Sequence, residues 1–275
     1  MNTQVREPAV AGLFYEDRPA ELEREVRHYL SRAPGNLLGG TIRGLISPHA
    51  GLMYSGWTAA HAYRQLQGRS YDAVVVIGPS HREYFDGISI HPGTAFRTPL
   101  GDVPIHDGVR AEIASYHPSI ELSAIGHRSE HSVEVQLPFL QEVLGKFSFV
   151  PVVMGEQRKE LCYLLADALV QTGRHFNLLL VASSDLSHYH PYEDAVRLDR
   201  SILQDIESYQ TAAFMEKLED SQAEACGGGP IIAVMKAASD LGASVAHILH
   251  YCNSGDVSPR RDAVVGYVAA ALVQE

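Results

Sequence analysis

The sequence predicts an α/β fold: a single domain over residues 1–275 with a central mixed, mostly parallel sheet flanked by helices. Two observations carry the prediction. Short apolar runs rich in Val, Ile and Leu recur along the chain, and longer segments of helical period separate them, as expected of βαβ units around a buried sheet. Hydrophobic residues make up 45% and charged residues 20% of the chain, the balance of a globular protein that can bury a sizeable core. No stretch has the composition of a linker, an internal repeat or a low-complexity tract.

The first strand is expected over Ile42–Ile46, followed by a helix over Gly56–Leu66 with Ala59, Ala62, Tyr63 and Leu66 on one face. The second strand lies in AVVVIGPSH, Ala73–His81. Gly87–Ile90, Ala95–Thr98 and Val103–Ile105 are short and separated by Gly and Pro, which predicts hairpins or an antiparallel excursion. Helical spacing appears over Asp107–Tyr116 and again over His131–Leu144, where Pro138 is expected to kink or interrupt the ladder. Phe147–Met154 reads as a strand whose Pro151 favours an edge or a bulge. Leu161–Val170 is an amphipathic helix, Leu178–Ala182 a buried strand, and Leu198, Ile202 and Ile206 line a further helix. Pro230–Leu241 is apolar nearly all round, which predicts a packed internal helix. Ser244–Tyr251 and Ala263–Leu272 form a closing pair of strands.

The formal net charge of -11 argues against a nucleic-acid partner, since phosphate binding draws on clustered Lys and Arg. A small-molecule or protein partner, a peptide included, fits better. The chain shows neither a signal pattern nor an apolar run of membrane-spanning length, so no membrane partner is expected and the expected compartment is the cytosol. Cys162, Cys226 and Cys252 form no C-x-x-C pair and no disulfide framework, which suits a reducing compartment.

Three buried strands end in chemistry: His49 follows the first, His81 the second, and SSDLSHYH (Ser183–His190) the strand at Leu178–Ala182. Ligands of α/β sheets bind beyond the carboxyl ends of parallel strands, so these segments should converge. A fourth segment, EACGGGPI, places Cys226 before three glycines and a helix-starting Pro230, where free N–H groups and the helix terminus favour a thiolate. Imidazole and thiolate together are donors for a first-row metal, so His49, His81, His188 and Cys226, with Asp185 and His190 nearby, form the candidate inventory. EHSVEVQLPFL adds His131 as an acid or base, with Glu134 on the same helical face or Glu130 to orient its ring. The remaining histidines read as ordinary core or surface residues, Cys162 and Cys252 as buried inert thiols, and the triple glycine lacks the Lys of a P-loop.

PAVAGLFY, SPHAGLMYSG, GPSH, TPLG, EHSVEVQLPFL, SSDLSHY and CGGGPI occur in that order. The set resembles the Memo family, including its prokaryotic members called AmmeMemoRadiSam system protein B. The resemblance implies a fold similar to the class III extradiol ring-cleaving dioxygenases, with a site at the strand ends. It implies His49, His81 and Cys226 as metal ligands; the residues themselves suggest His131, His188 and Asp185 as pocket residues in acid/base or supporting roles. Fe(II) or copper is the implied metal, with Zn(II) as an alternative, and a radical-SAM enzyme and an Ammecr-type domain are the implied pathway partners. Cysteine replaces the dioxygenase glutamate, which shifts metal preference and redox potential. The leading expectation is metal-dependent redox or oxygen chemistry on a small molecule, an aromatic one among the candidates; the alternatives are a true ring-cleaving dioxygenase and a non-catalytic scaffold that binds a peptide.

Overall fold

The computed structural model describes residues 4–35 and 38–275. The chain begins with β1 (Val5–Arg6), α1 (Pro19–Arg32), β2 (Thr41–Ser47), α2 (Leu52–Tyr63) and β3 (Ala73–Pro79). Next come β4 (Ile88–Ile90), β5 (Ala95–Thr98), β6 (Gly101–Pro104), α3 (Asp107–Ser115), β7 (Ile120–Leu122), α4 (Leu137–Leu144), β8 (Phe149–Met154) and α5 (Lys159–Gly173). The last third holds β9 (Leu178–Ser183), β10 (His188–His190), α6 (Tyr192–Glu207), α7 (Thr211–Glu219), α8 (Gly228–Asp240), β11 (Val245–Asn253), α9 (Ser254–Val257) and β12 (Val264–Gln274).

Among the described residues nine strands build one mixed sheet in the order β10-β12-β2-β9-β3-β8-β4-β7, with β11 paired to β12. The central four, β2-β9-β3-β8, are parallel, and β12 and β4 flank them antiparallel. Strand β9 lies between β2 and β3, so the first β-α-β segment crosses over a strand supplied much later in the chain. The β5–β6 hairpin joins β1 in a separate three-stranded sheet, which accounts for the predicted antiparallel excursion.

Both faces of the main sheet are buried. Val75, Ile77, Leu178, Leu180 and Ala182 face a layer that includes α5 and α8, whereas Val74, Val76, Leu179 and Val181 face α1, α2 and α4. A strand buried on both faces gains from apolar side chains at every position, about 1.5–3 kcal/mol for each fully covered Val, Leu or Ile, which explains the continuous runs. No helix among the described residues is long and apolar enough to cross a membrane.

Two local expectations are corrected and one is refined. Pro151 lies in an internal strand, paired with Val76 of β3 on one side and just past the end of β4 on the other, so its imino side is a local edge. Its nitrogen points toward the β4 side, as the Phe149 carbonyl and the Gly155 N–H do, and β4 ends opposite Val152, so no ladder bond is lost there. The helix expected from His131 begins later: Glu134–Gln136 is a 3₁₀ turn and α4 starts at Leu137, with Pro138 in its first turn where no amide donor is needed. Helix α2 starts at Leu52, ahead of the expected Gly56, which instead lies inside it with Tyr29 packed so close that a Cβ would sit 2.8 Å from the ring.

Candidate metal centre

Neighbouring strands β2, β9 and β3 end level, because Ser47 is in register with Ser183 and Ile77 with Ala182. His49, Asp185 and His81 leave these ends side by side, and Cys226 reaches the same edge from the loop before α8. Glycine makes the approach feasible: a Cβ at Gly227 would lie 2.3 Å from the Ser183 carbonyl oxygen. Asp185 and Cys226 then clasp each other. Cys226 N–H donates to the Asp185 carbonyl at 3.2 Å, and Asp185 N–H donates to Cys226 Sγ at 3.2 Å.

Hydrogen bonding fixes which imidazole atoms stay free. Gln136 Nε2 donates to the Pro48 carbonyl (2.9 Å) and to Ser183 Oγ (2.8 Å), while Tyr63 donates to Gln136 Oε1 (2.6 Å). Ser183 gives its only hydroxyl hydrogen to the Ser132 carbonyl at 2.6 Å. Toward His49 Nδ1, 2.8 Å away, it can therefore only accept. His49 carries its proton on Nδ1, and Nε2 keeps a lone pair 3.1 Å from Cys226 Sγ. Glu130 treats His81 the same way, accepting from Nδ1 at 2.9 Å and from the main-chain N–H at 2.6 Å. His81 Nε2 is left free.

One donor atom each from His49, His81 and Cys226 lies within 4.8 Å of the others, so these three could hold a metal ion. His81, Glu130 and His131 also lie within 4.8 Å. Glu130, however, has both oxygens committed, since Oε1 also takes the N–H groups of His131 and Ser132 at 2.9 Å each. Its role here is to orient histidines.

A cleft of about 540 Å³ opens over this edge, lined by His49, His81, His131, Asp185 and His188. His188 Nδ1 donates to the Leu186 carbonyl at 2.7 Å, which leaves Nε2 as an acceptor. His131 stacks on His81 with ring centroids 4.7 Å apart, and Phe14 packs against it at 4.7 Å. Asp185 Oδ1 accepts the His49 N–H at 2.8 Å. His190, by contrast, turns to Glu224 at 2.8 Å.

Glu134 does not orient His131. It is buried below the N-terminal segment, where it pairs with Arg6 and accepts the N–H groups of Ala9 (2.8 Å) and Val10 (3.0 Å) and the Tyr15 hydroxyl (2.5 Å). That clamp places Phe14 in the cleft wall. The roles of Ser183, Gln136 and Phe14 were missed from sequence, although each lies in or beside a motif already singled out.

Burial pushes His49 well below the ordinary histidine value, reinforced by His81 and His131, so the ring stays neutral and able to donate its lone pair. Burial raises Asp185 against the opposing help of the His49 N–H. Burial opposes ionisation of Glu130 too, yet the hydrogen bonds from His131 and His81 outweigh it and hold the carboxyl far below its usual range. Cys226 moves opposite to the thiolate expected from its helix start: burial and then the Asp185 charge push the thiol up. A coordinated cation reverses such a balance, because a ligating thiol is deprotonated outright.

The chain is similar to known proteins along nearly its whole length. The family model described as Memo-like protein matches residues 6–271. A MEMO1 family protein of Methanosarcina mazei is 38% identical over 275 residues, covering 97% of this chain and 98% of its own. One from Nitrosopumilus maritimus is 33% identical over 274 residues, with 98% and 100% covered. The crystal structure of an uncharacterized protein from Escherichia coli K12 superposes with a TM-score of 0.58 over 84% of this chain and 99% of that one; at 11% identity the likeness shows the fold alone. With matches that run nearly end to end and take in every strand that feeds the cleft, the chain belongs to the Memo family.

Proposed function

We propose that this Memo-family chain binds a redox-active first-row metal through His49 Nε2, His81 Nε2 and Cys226 Sγ, and that the site carries out redox or oxygen chemistry on a small molecule. The observation that supports it most is the convergence of these three donors within 4.8 Å, with the protonated nitrogens of both rings turned away. Two imidazoles and one thiolate suit Fe(II) or copper; Zn(II), which has no redox chemistry, can occupy the same donors in a purified sample. A bound metal would supply Lewis acidity and an electron route, with coordination positions left over for substrate. His188 is placed to accept a proton from a substrate hydroxyl, and Asp185 and His131 bound the reacting space.

The test is metal content after anaerobic purification. Wild type should carry about one ion per chain, and the His49→Ala, Cys226→Ser double variant close to none while keeping its circular dichroism spectrum. Equal metal in both would overturn the ligand assignment.

A further inference from the structure

The cleft differs in charge from the protein around it. The chain has 22 Lys and Arg against 33 Asp and Glu, yet its walls offer Arg82 and Arg260 and one carboxylate, Asp185, which lies buried beside the donor atoms. Arg82 directly follows His81, and among the described residues no carboxylate pairs with it. Among the described residues Arg260 is held only by Asp262, at 3.0 Å, with the two side chains 71% and 72% exposed; a solvent-screened pair of that kind exchanges readily for a better anion. Guanidinium presents paired donors that match a carboxylate.

The mouth is also apolar. Leu13, Met53, Tyr54 and Tyr189 are exposed large hydrophobic side chains that line this one cleft, and such concentration marks a contact surface. Tyr189 adds an independent sign. It is 75% exposed and sits at φ +63°, a left-handed conformation that is costly for a side chain with a Cβ. The register of β10 against β12 shifts between His188 and His190, and an irregularity of that kind re-aims the side chain it carries, here toward the cleft mouth.

We infer that the cleft takes a small organic anion with an apolar body: a carboxylate engaged by Arg82 and Arg260, with a ring or short chain against the Leu13, Met53, Tyr54 and Tyr189 collar. This rests on the reading of the cleft as a small-molecule metal site. The volume of about 540 Å³ suits such a ligand.

Calorimetric titration of the full-length, metal-loaded protein with 3-phenylpropionate, its neutral amide and propionate tests the inference. The acid should bind at least about tenfold more tightly than the amide or propionate. In Arg82→Gln, Arg260→Gln the preference over the amide should fall to about threefold or less, with metal content unchanged. Tyr189→Gly should weaken both phenyl probes equally without loss of thermal stability, since glycine accepts that φ freely. Equal binding of acid and amide to wild type overturns the inference. So does a preference for the acid that survives the double arginine variant, which would place the carboxylate elsewhere. Failure of the metal reading is seen separately, as wild-type protein that carries no ion.

Discussion

At the strand ends the rings of His49 and His81 lie 5.0 Å apart and those of His49 and His131 5.2 Å apart; beside β1 and β5, His91 and His127 lie 5.3 Å apart. All of these histidines are close, and His49, His91 and His127 are held neutral chiefly by burial. What differs is where the nitrogens go. His127 Nε2 donates to the Ser89 carbonyl at 3.2 Å and His91 Nδ1 accepts from Gly93 N–H at 3.0 Å, with the Arg6 guanidinium nearby in place of a thiol. For His49 and His81 the committed nitrogens face the protein, and the free ones lie close to Cys226 Sγ. Proximity of histidines packs a core; uncommitted lone pairs beside a soft donor could hold a metal ion.

The comparison can be broken most forcefully at Glu130. Glu130→Ala strips a buried carboxylate from four donors, and the expected loss is about 3–5 kcal/mol of stability by urea denaturation. A loss under about 1 kcal/mol would show that the cleft histidines are not held as described. Ser183→Ala should act on affinity rather than on folding, because it frees the His49 tautomer. Metal affinity should fall about 10–100-fold in a chelator competition, while His127→Gln leaves it unchanged.

Acid should act on the second pair. The folded values of His91 and His127 are lowered to about 4 and about 3, from the ordinary 6.5. Between these limits the unfolded chain binds more protons, so this stabilisation is complete above pH 6.5 and declines as pH falls toward the folded values. The expected slope is at most about 1.4 kcal/mol per pH unit for each ring, and His127→Gln should make the urea midpoint less sensitive between pH 7 and 5. The smallest effect is expected at the other thiols. Cys162 Sγ donates to the Gln157 carbonyl and Cys252 packs on Thr58, so Cys162→Ala and Cys252→Ala should leave metal content as in wild type.

Strands β2, β3 and β9 were legible because burial on both faces writes an uninterrupted apolar run, and their ends carried the histidines with them. Helix α1 has its own signal in Leu22, Val26 and Leu30 on one face, yet no element was assigned there. Short strands such as β7 and β10 carry too few residues for a period to show. Glu134 was beyond reach for a different reason. Its spacing from His131 suggests a shared helix face, whereas its real partners Arg6 and Tyr15 lie 128 and 119 residues away. The Pro48, Gln136 and Ser183 network likewise joins three separate segments.

His49 and Cys226 meet from positions 177 residues apart, across a sheet whose middle strand β9 is made long after β2 and β3. During synthesis the native pairing of the first two strands is therefore completed only when β9 arrives, and the donor set cannot exist until the chain has passed Cys226. Any ion held there stabilises only the finished fold. Its capture would then mark the completion of folding rather than guide its beginning.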